Sequence, residues 1–147
     1  MSMYDSFNIN ASGLALERLK LDTISTNIAN ANTTRTENGE PYRQKRVLFE
    51  ESLKNQENNL TTPASEQAIE SFGVRVTGIE ENQAEFASVY NPNHPDADAA
   101  GYVRMPNVTI SDEMINLMNT VRTYEANVSA LESSKNMMKK ALEISKD

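Results

Sequence analysis

Residues 114–142 carry the pattern that most restricts how this chain can fold. Met114, Leu117, Val121, Tyr124, Val128, Leu131, Lys135, Met138 and Leu142 follow one another at alternating steps of three and four, and eight of the nine are apolar or aromatic. Such a run lays one stripe along an α-helix, as the a and d positions do in a coiled coil. Proline and glycine cost a helix interior about 3 and 1 kcal/mol. All five prolines lie between Pro41 and Pro106, and four of the five glycines between Gly39 and Gly101. Long helices are therefore permitted at both ends and discouraged in the middle. The C-terminal helix is expected over 111–145, about 50 Å long. Ser111 is its expected N-cap, with Asp112 and Glu113 in the first turn and Lys139, Lys140 and Lys146 near the far end, as the helix dipole favours.

At the other end, Phe7, Leu14, Leu21 and Ile28 recur every seven residues, with Ala11, Ile24 and Ala31 between them and Leu16 and Leu19 widening the stripe. A helix over roughly 10–30 is expected, about 30 Å long. It runs into Asn27, Asn30, Asn32, Thr33 and Thr34, residue types that favour caps and turns. The middle predicts short strands at 45–50, 74–79, 86–90 and 102–105, with a mobile polar loop near 52–71. The expected architecture is α+β. Residues 1–36 and 111–147 form long helices that pair as a coiled-coil-like layer, and 37–110 forms a small β-rich segment.

Charge divides along the same lines. Residues 37–110 hold twelve acids and six bases, net −6, whereas 1–36 is neutral and 111–147 is net −1. The acidity marks the middle as the solvated part. The whole chain, at −7, is a poor ligand for nucleic acid or an anionic membrane. No stretch approaches 18 apolar residues, so no membrane insertion is expected. The first residues lack the basic and apolar regions of a secretory signal, so export by that route is not expected.

The same residues leave little room for catalysis. Without cysteine there is no disulfide framework, thiolate metal site or cysteine nucleophile. His94 is the only histidine, and no Gly-x-Ser-x-Gly elbow or phosphate-binding glycine loop accompanies it. Asp96-Ala-Asp98-Ala-Ala-Gly101 echoes the start of a calcium loop, but Ala100 and Asn107 stand where that loop needs ligands. A turn with solvated carboxylates explains it. Glu50-Glu51 and Glu80-Glu81 are adjacent, so on a strand they point to opposite faces and make poor acid–base pairs. Neither an enzyme, nor a cofactor, nor a metal is expected.

The two stripes differ in length by about twelve residues, and a two-helix pair leaves one side of each helix facing water. That mismatch points to packing between molecules, with the termini incompletely ordered alone and ordering on assembly. The interface residues expected are Leu14, Leu21, Ile24, Ile28, Met114, Leu117, Val121, Tyr124, Val128, Leu131, Met138 and Leu142. Met114, Met118, Met137 and Met138 fit irregular packing along that seam. Asn127 and Ser129, beside Val128, are either exposed or hydrogen-bonded across a crowded helix contact.

Ile24-Ser-Thr-Asn-Ile-Ala-Asn-Ala-Asn-Thr-Thr-Arg-Thr36 resembles the N-terminal signature of bacterial flagellar axial proteins, and Tyr124-Glu-Ala-Asn-Val128 with Ser134-Lys-Asn-Met-Met138 resembles their matching end. The motif residues are Asn27, Ala29, Asn30, Asn32, Thr33 and Asn127. Where such proteins usually continue with a Gly-aromatic pair, Thr34-Arg-Thr36 stands here. With Pro41-Tyr-Arg43 and the stretch from Asn91 to Val108, that departure is similar to the proximal-rod members of the family. The resemblance implies a structural subunit of the flagellar basal body, polymerising through its terminal helices into a periplasmic drive shaft. It implies as neighbours further copies of the chain, the rod proteins FlgB, FlgF and FlgG, and FliE. It also implies passage through the flagellar type III export apparatus without a cleaved signal. For Asn27, Asn30 and Asn32 two readings stand: ties from the helical layer to the outer segment, or simple helix termination. A charge at Val128, as in Val128→Asp, is expected to leave export intact and stop rod assembly. The competing readings are a coiled-coil component of another type III system, and a small enzyme or Ca²⁺-binding domain using His94, Asp96 and Asp98.

Overall fold

The computed structural model describes residues 3–54 and 70–144. The order of elements is α1 (Met3–Ala29), β1 (Lys45–Lys54), β2 (Glu70–Glu81), β3 (Ala87–Tyr90), β4 (Tyr102–Met105) and α2 (Ile110–Ile144). The architecture is α+β, two long terminal helices with a small β region between them. β1 pairs with β2, and β3 pairs antiparallel with β4 in the register Ala87↔Met105, Ser88↔Arg104, Val89↔Val103 and Tyr90↔Tyr102. Among the described residues no helix is long and apolar enough to cross a membrane.

Several boundaries differ from those expected. α1 begins at Met3 rather than near residue 10, because no proline or glycine interrupts 3–12 and Asp5 suits the first turn. α2 begins at Ile110. Thr109 takes the capping place, its carbonyl accepting from the Glu113 N–H at 3.0 Å, and Ser111 lies inside the first turn. β1 runs on to Lys54 and β2 starts at Glu70, so both strands enter the stretch expected as a loop. Residues 55–69 of that stretch lie outside the described residues. β3 starts one residue later than expected, and β4 spans the residues expected.

The chain folds as two compact units. The first comprises Met1–Arg18, Phe49–Thr77 and Arg122–Asp147, and the second Leu19–Leu48 and Gly78–Val121. In the first, Asn10 Nδ2 donates to Ser134 Oγ at 3.5 Å, and Gly13 faces the Asn127 amide. α1 and α2 therefore pair antiparallel there. β2 closes onto α1 at Gly73, whose φ of 97° is open to glycine. A Cβ at that position would stand 3.2 Å from the Ile9 Cα and far inside contact with Ser12 Oγ. Ser12 Oγ accepts from the Val74 N–H at 3.2 Å and donates to the Ile9 carbonyl at 2.7 Å.

Burial along α2 follows an unexpected stripe. Glu113, Thr120 and Ser134 are buried and Asn127 half-buried, four positions seven residues apart and all polar. The buried hydroxyls are satisfied within their own helices: Thr120 donates to the Asn116 carbonyl and Ser134 to the Ala130 carbonyl, as Thr23 of α1 does to Leu19. Leu117, Tyr124, Leu131 and Met138 flank this stripe, half-buried. The other half of the apolar seam, Met114, Val121 and Leu142, is exposed. One residue of sequence is about 100° of helix rotation. The contact within the chain is thus turned by about that angle from the edge of the seam that carries Met114, Val121 and Leu142. The apolar core is correspondingly small: Leu16, Ile24, Ala31, Tyr42, Val47 and Val103.

Candidate functional site

The second unit is organised around Asn27, two residues before the end of α1 and 1% exposed. Its Oδ1 accepts from the Lys45 N–H and from the Tyr42 hydroxyl, both at 2.9 Å. Its Nδ2 donates to the Lys45 carbonyl at 2.9 Å and to Glu113 Oε2 at 3.1 Å. All four hydrogen-bonding positions of the amide are filled, and the Lys45 backbone fixes which end is which.

A second amide meets Glu113 from β1's side. Gln44 Nε2 donates to Glu113 Oε1 at 2.6 Å, while Gln44 Oε1 accepts from Asn82 Nδ2 at 2.8 Å. The Gln44 N–H donates to Asn107 Oδ1, and Asn107 Nδ2 donates to the carbonyls of Asn82 and Ala84. Backbone groups therefore orient the whole set. Position 113 faces two N–H donors at once, and a carboxylate is the side chain that offers an acceptor to each. Glu113 is 2% exposed and sits in the first turn of α2, where the helix dipole also favours negative charge. Burial raises the Tyr42 pKa above its ordinary value near 10, and the charges of Glu113 and Glu81 raise it further.

Asn30 and Thr33 act locally. Asn30 Nδ2 donates to the Thr26 carbonyl and Asn30 Oδ1 accepts from the Thr33 hydroxyl, which closes the end of α1. Ala29 and Asn32 are exposed and Thr33 is half-buried. The two readings of the asparagines thus divide: Asn27 makes the tie from α1 to β1 and α2, and Asn30 terminates the helix. Asn127 lies against Gly13, where a Cβ would come within 3.1 Å of its Nδ2.

The expected interface residues do not converge on one point. Ile24 is buried, and Leu14, Leu21, Ile28, Leu117, Tyr124, Val128, Leu131 and Met138 are half-buried. Met114 (53%), Val121 and Leu142 (67%) are exposed, and Ile110, Ile115 and Met118 beside them are exposed too. Ile110, Met114, Ile115, Met118 and Val121, all in the second unit, make an extended apolar face rather than a pocket.

The acidic turn is engaged in holding itself. Thr34 Oγ1 donates to Asp96 Oδ2 at 2.8 Å, and the Asp96 N–H donates to His94 Nδ1 at 3.1 Å. Asp98 Oδ1 accepts from the N–H groups of Ala100 and Tyr102, both at 2.9 Å. Among the described residues no group of three histidine, cysteine or acidic side chains is placed to hold a metal.

Tyr42, Gln44, Asn82, Asn107 and the buried role of Glu113 escaped the sequence reading. Glu113 reads locally as an ordinary first-turn acid. Its partners lie 86 and 69 residues away, beyond the reach of any periodicity.

Comparison with known proteins bears on both surfaces. The family model for flagella basal body rod proteins matches residues 7–35, and that for the C-terminal part of flagellar basal body rod FlgEFG proteins matches residues 99–144. The chain is 41% identical to the flagellar basal-body rod protein FlgC of Bacillus subtilis over 99% of its length and 100% of the relative's. It is 38% identical to FlgC of Borreliella burgdorferi, with 98% of both chains covered, and 39% identical to FlgC of Salmonella typhimurium, with 97% of both covered.

Proposed function

The chain belongs to the FlgC family of flagellar basal-body rod proteins and is a structural, non-catalytic subunit of that rod; from this premise we propose that it polymerises through its terminal helices and transmits torque in the proximal rod. The observation that carries this reading is the mismatch on α2. Its contact within the chain is a polar stripe, while Ile110, Met114, Ile115, Met118 and Val121 remain exposed. An exposed run of that kind is expected where another protein surface covers it. Covering it gains about 25 cal/mol per Å² of apolar surface, less the cost of ordering.

In this reading residues 1–36 and 111–147 supply an inner helical layer, and 37–110 forms an outer segment. Leu14, Leu21, Ile24, Ile28, Met114, Leu117, Val121, Tyr124, Val128, Leu131, Met138 and Leu142 line the subunit contacts. The neighbours are further copies of the chain, FlgB, FlgF, FlgG and FliE. The subunit reaches the periplasm through the flagellar type III export apparatus without a cleaved signal. The small apolar core and the polar helix contact support that route, since a chain that travels unfolded gains from a fold of modest stability.

Deletion of the gene, with and without a plasmid copy, tests the reading through swimming and electron microscopy of basal bodies. Loss of swimming with basal bodies lacking a completed rod, restored by the gene, is the expected result. Swimming cells with complete basal bodies would discard it.

A further inference from the structure

One face of the β3–β4 hairpin, in the second unit, has the composition of a binding hot spot and is exposed. The register places Ser88 opposite Arg104 and Tyr90 opposite Tyr102 on that face. Val103, one residue on, points the other way and is 2% exposed. Tyr90 is 63% exposed and Tyr102 47%, and their rings meet edge to face at 5.3 Å. The Arg104 guanidinium lies 5.7 Å from the centre of the Phe86 ring, which Arg43 approaches from 4.2 Å. Tyrosine and arginine are the residue types over-represented among the anchors of protein interfaces.

The charges on this face indicate the partner. Within the second unit Arg35 pairs with Asp96 and Arg43 with Glu40. Arg104 has no carboxylate within ion-pair distance among the described residues, although the unit holds ten acids and six bases. A guanidinium laid against a ring keeps its N–H edge free for a carboxylate. Tyr102 and Arg104 also line a cleft of about 320 Å³ with Pro41 and Pro95 as apolar walls. The two acids of that cleft, Asp96 and Asp98, are already held by Thr34, Arg35 and backbone N–H groups. A free arginine beside apolar walls and two exposed tyrosine rings fits a segment that carries a carboxylate.

We propose that the Tyr90–Tyr102–Arg104 face of the hairpin docks an acidic segment of a second copy of this chain. This rests on the reading of the chain as a rod subunit that neighbours its own copies. The chain itself supplies the complement, since Glu80, Glu81 and Glu85 are exposed acids with no ion pair among the described residues. The contact joins two different patches of the same molecule. Such head-to-tail contacts build open helical assemblies when the rotation does not close.

The test uses the full chain in flagellated cells, with p-benzoylphenylalanine replacing Tyr102 and irradiation of isolated basal bodies. The expected product is a crosslink between two copies, mapping to an Asp- or Glu-containing peptide. In parallel, Arg104→Glu is expected to lower the amount of chain recovered in basal bodies several-fold, with Arg104→Lys retaining more. Circular dichroism of the purified variants checks that both stay folded. Crosslinks confined to one copy, to a different rod protein or to a peptide without acids would overturn the proposal, as would undiminished recovery of folded Arg104→Glu. Absence of the unsubstituted chain from basal bodies would instead overturn the rod reading on which the proposal rests.

Discussion

At Asn27 the stability of the junction depends on which atom donates. Asn27→Asp would exchange two donations, to the Lys45 carbonyl and to Glu113, for a second carboxylate about 3 Å from the first. A loss of about 3–5 kcal/mol in urea unfolding is expected, as for other buried charges left without a partner. Glu113→Gln is the more discriminating change, because it removes a buried charge and keeps the shape. One of its amide hydrogens must then face Asn27 Nδ2 or Gln44 Nε2, both donors fixed from elsewhere. It is expected to destabilise by about 1–3 kcal/mol, and a stabilised variant would show that charge rather than hydrogen-bond direction governs the junction.

Tyr42 gives the junction a dependence on pH. Its folded pKa is raised above the ordinary value near 10, so the fold favours the protonated phenol. That contribution is fully present below pH 10 and is lost as pH rises through the folded value. Stability is expected to fall in the alkaline range from about pH 10 upward. In an ultraviolet titration Tyr42 should ionise above the ordinary tyrosine value near 10. Ionisation at or below that value would contradict the assignment.

At the scale of elements, the docking of β2 on α1 turns on Gly73. Gly73→Ala combines a φ of 97° with a Cβ driven into Ser12 Oγ and toward the Ile9 backbone. A loss above about 1 kcal/mol is expected from the backbone alone, with the Ser12–Val74 hydrogen bond lost as well. Thermal unfolding of Gly73→Ala beside Gly78→Ala, where nothing lies within 4 Å of the added Cβ, separates docking from the general effect of replacing glycine.

The helices and strands were legible because they depend on neighbours in sequence. The step of three and four revealed α2, and the spread of proline and glycine confined the strands to the middle. The pairing face of α2 was not legible. Apolar periodicity marks the side that avoids water, and it cannot say whether this chain or another one provides the cover. The polar stripe at Glu113, Thr120, Asn127 and Ser134 is invisible to such a reading, because none of the four is apolar. Asn27 was singled out from its motif, but Gln44, Asn82 and Asn107 carried no local signal.

At the scale of the whole molecule, the polar contacts between α1 and α2 inside each unit leave Ile110, Met114, Ile115, Met118, Val121 and Leu142 exposed. Incomplete order in isolation is therefore expected. Backbone amides of α1 and α2 should exchange hydrogen faster in the isolated chain than in assembled rods, and full protection in the isolated chain would remove the case for ordering on assembly. Val128→Asp, on the half-buried side of the stripe, should permit export and prevent rod completion.

The most direct measurement places a charge on the exposed part of the stripe, where the fold of the single chain depends on it least. Met114→Asp meets that condition, since Met114 is 53% exposed. Electron microscopy of basal bodies from cells carrying this variant as their sole copy, beside circular dichroism of the purified chain, tests the assembly surface itself. The expected result is a folded, exported subunit and basal bodies without a completed rod. Complete rods and normal swimming would overturn the assembly surface proposed for α2.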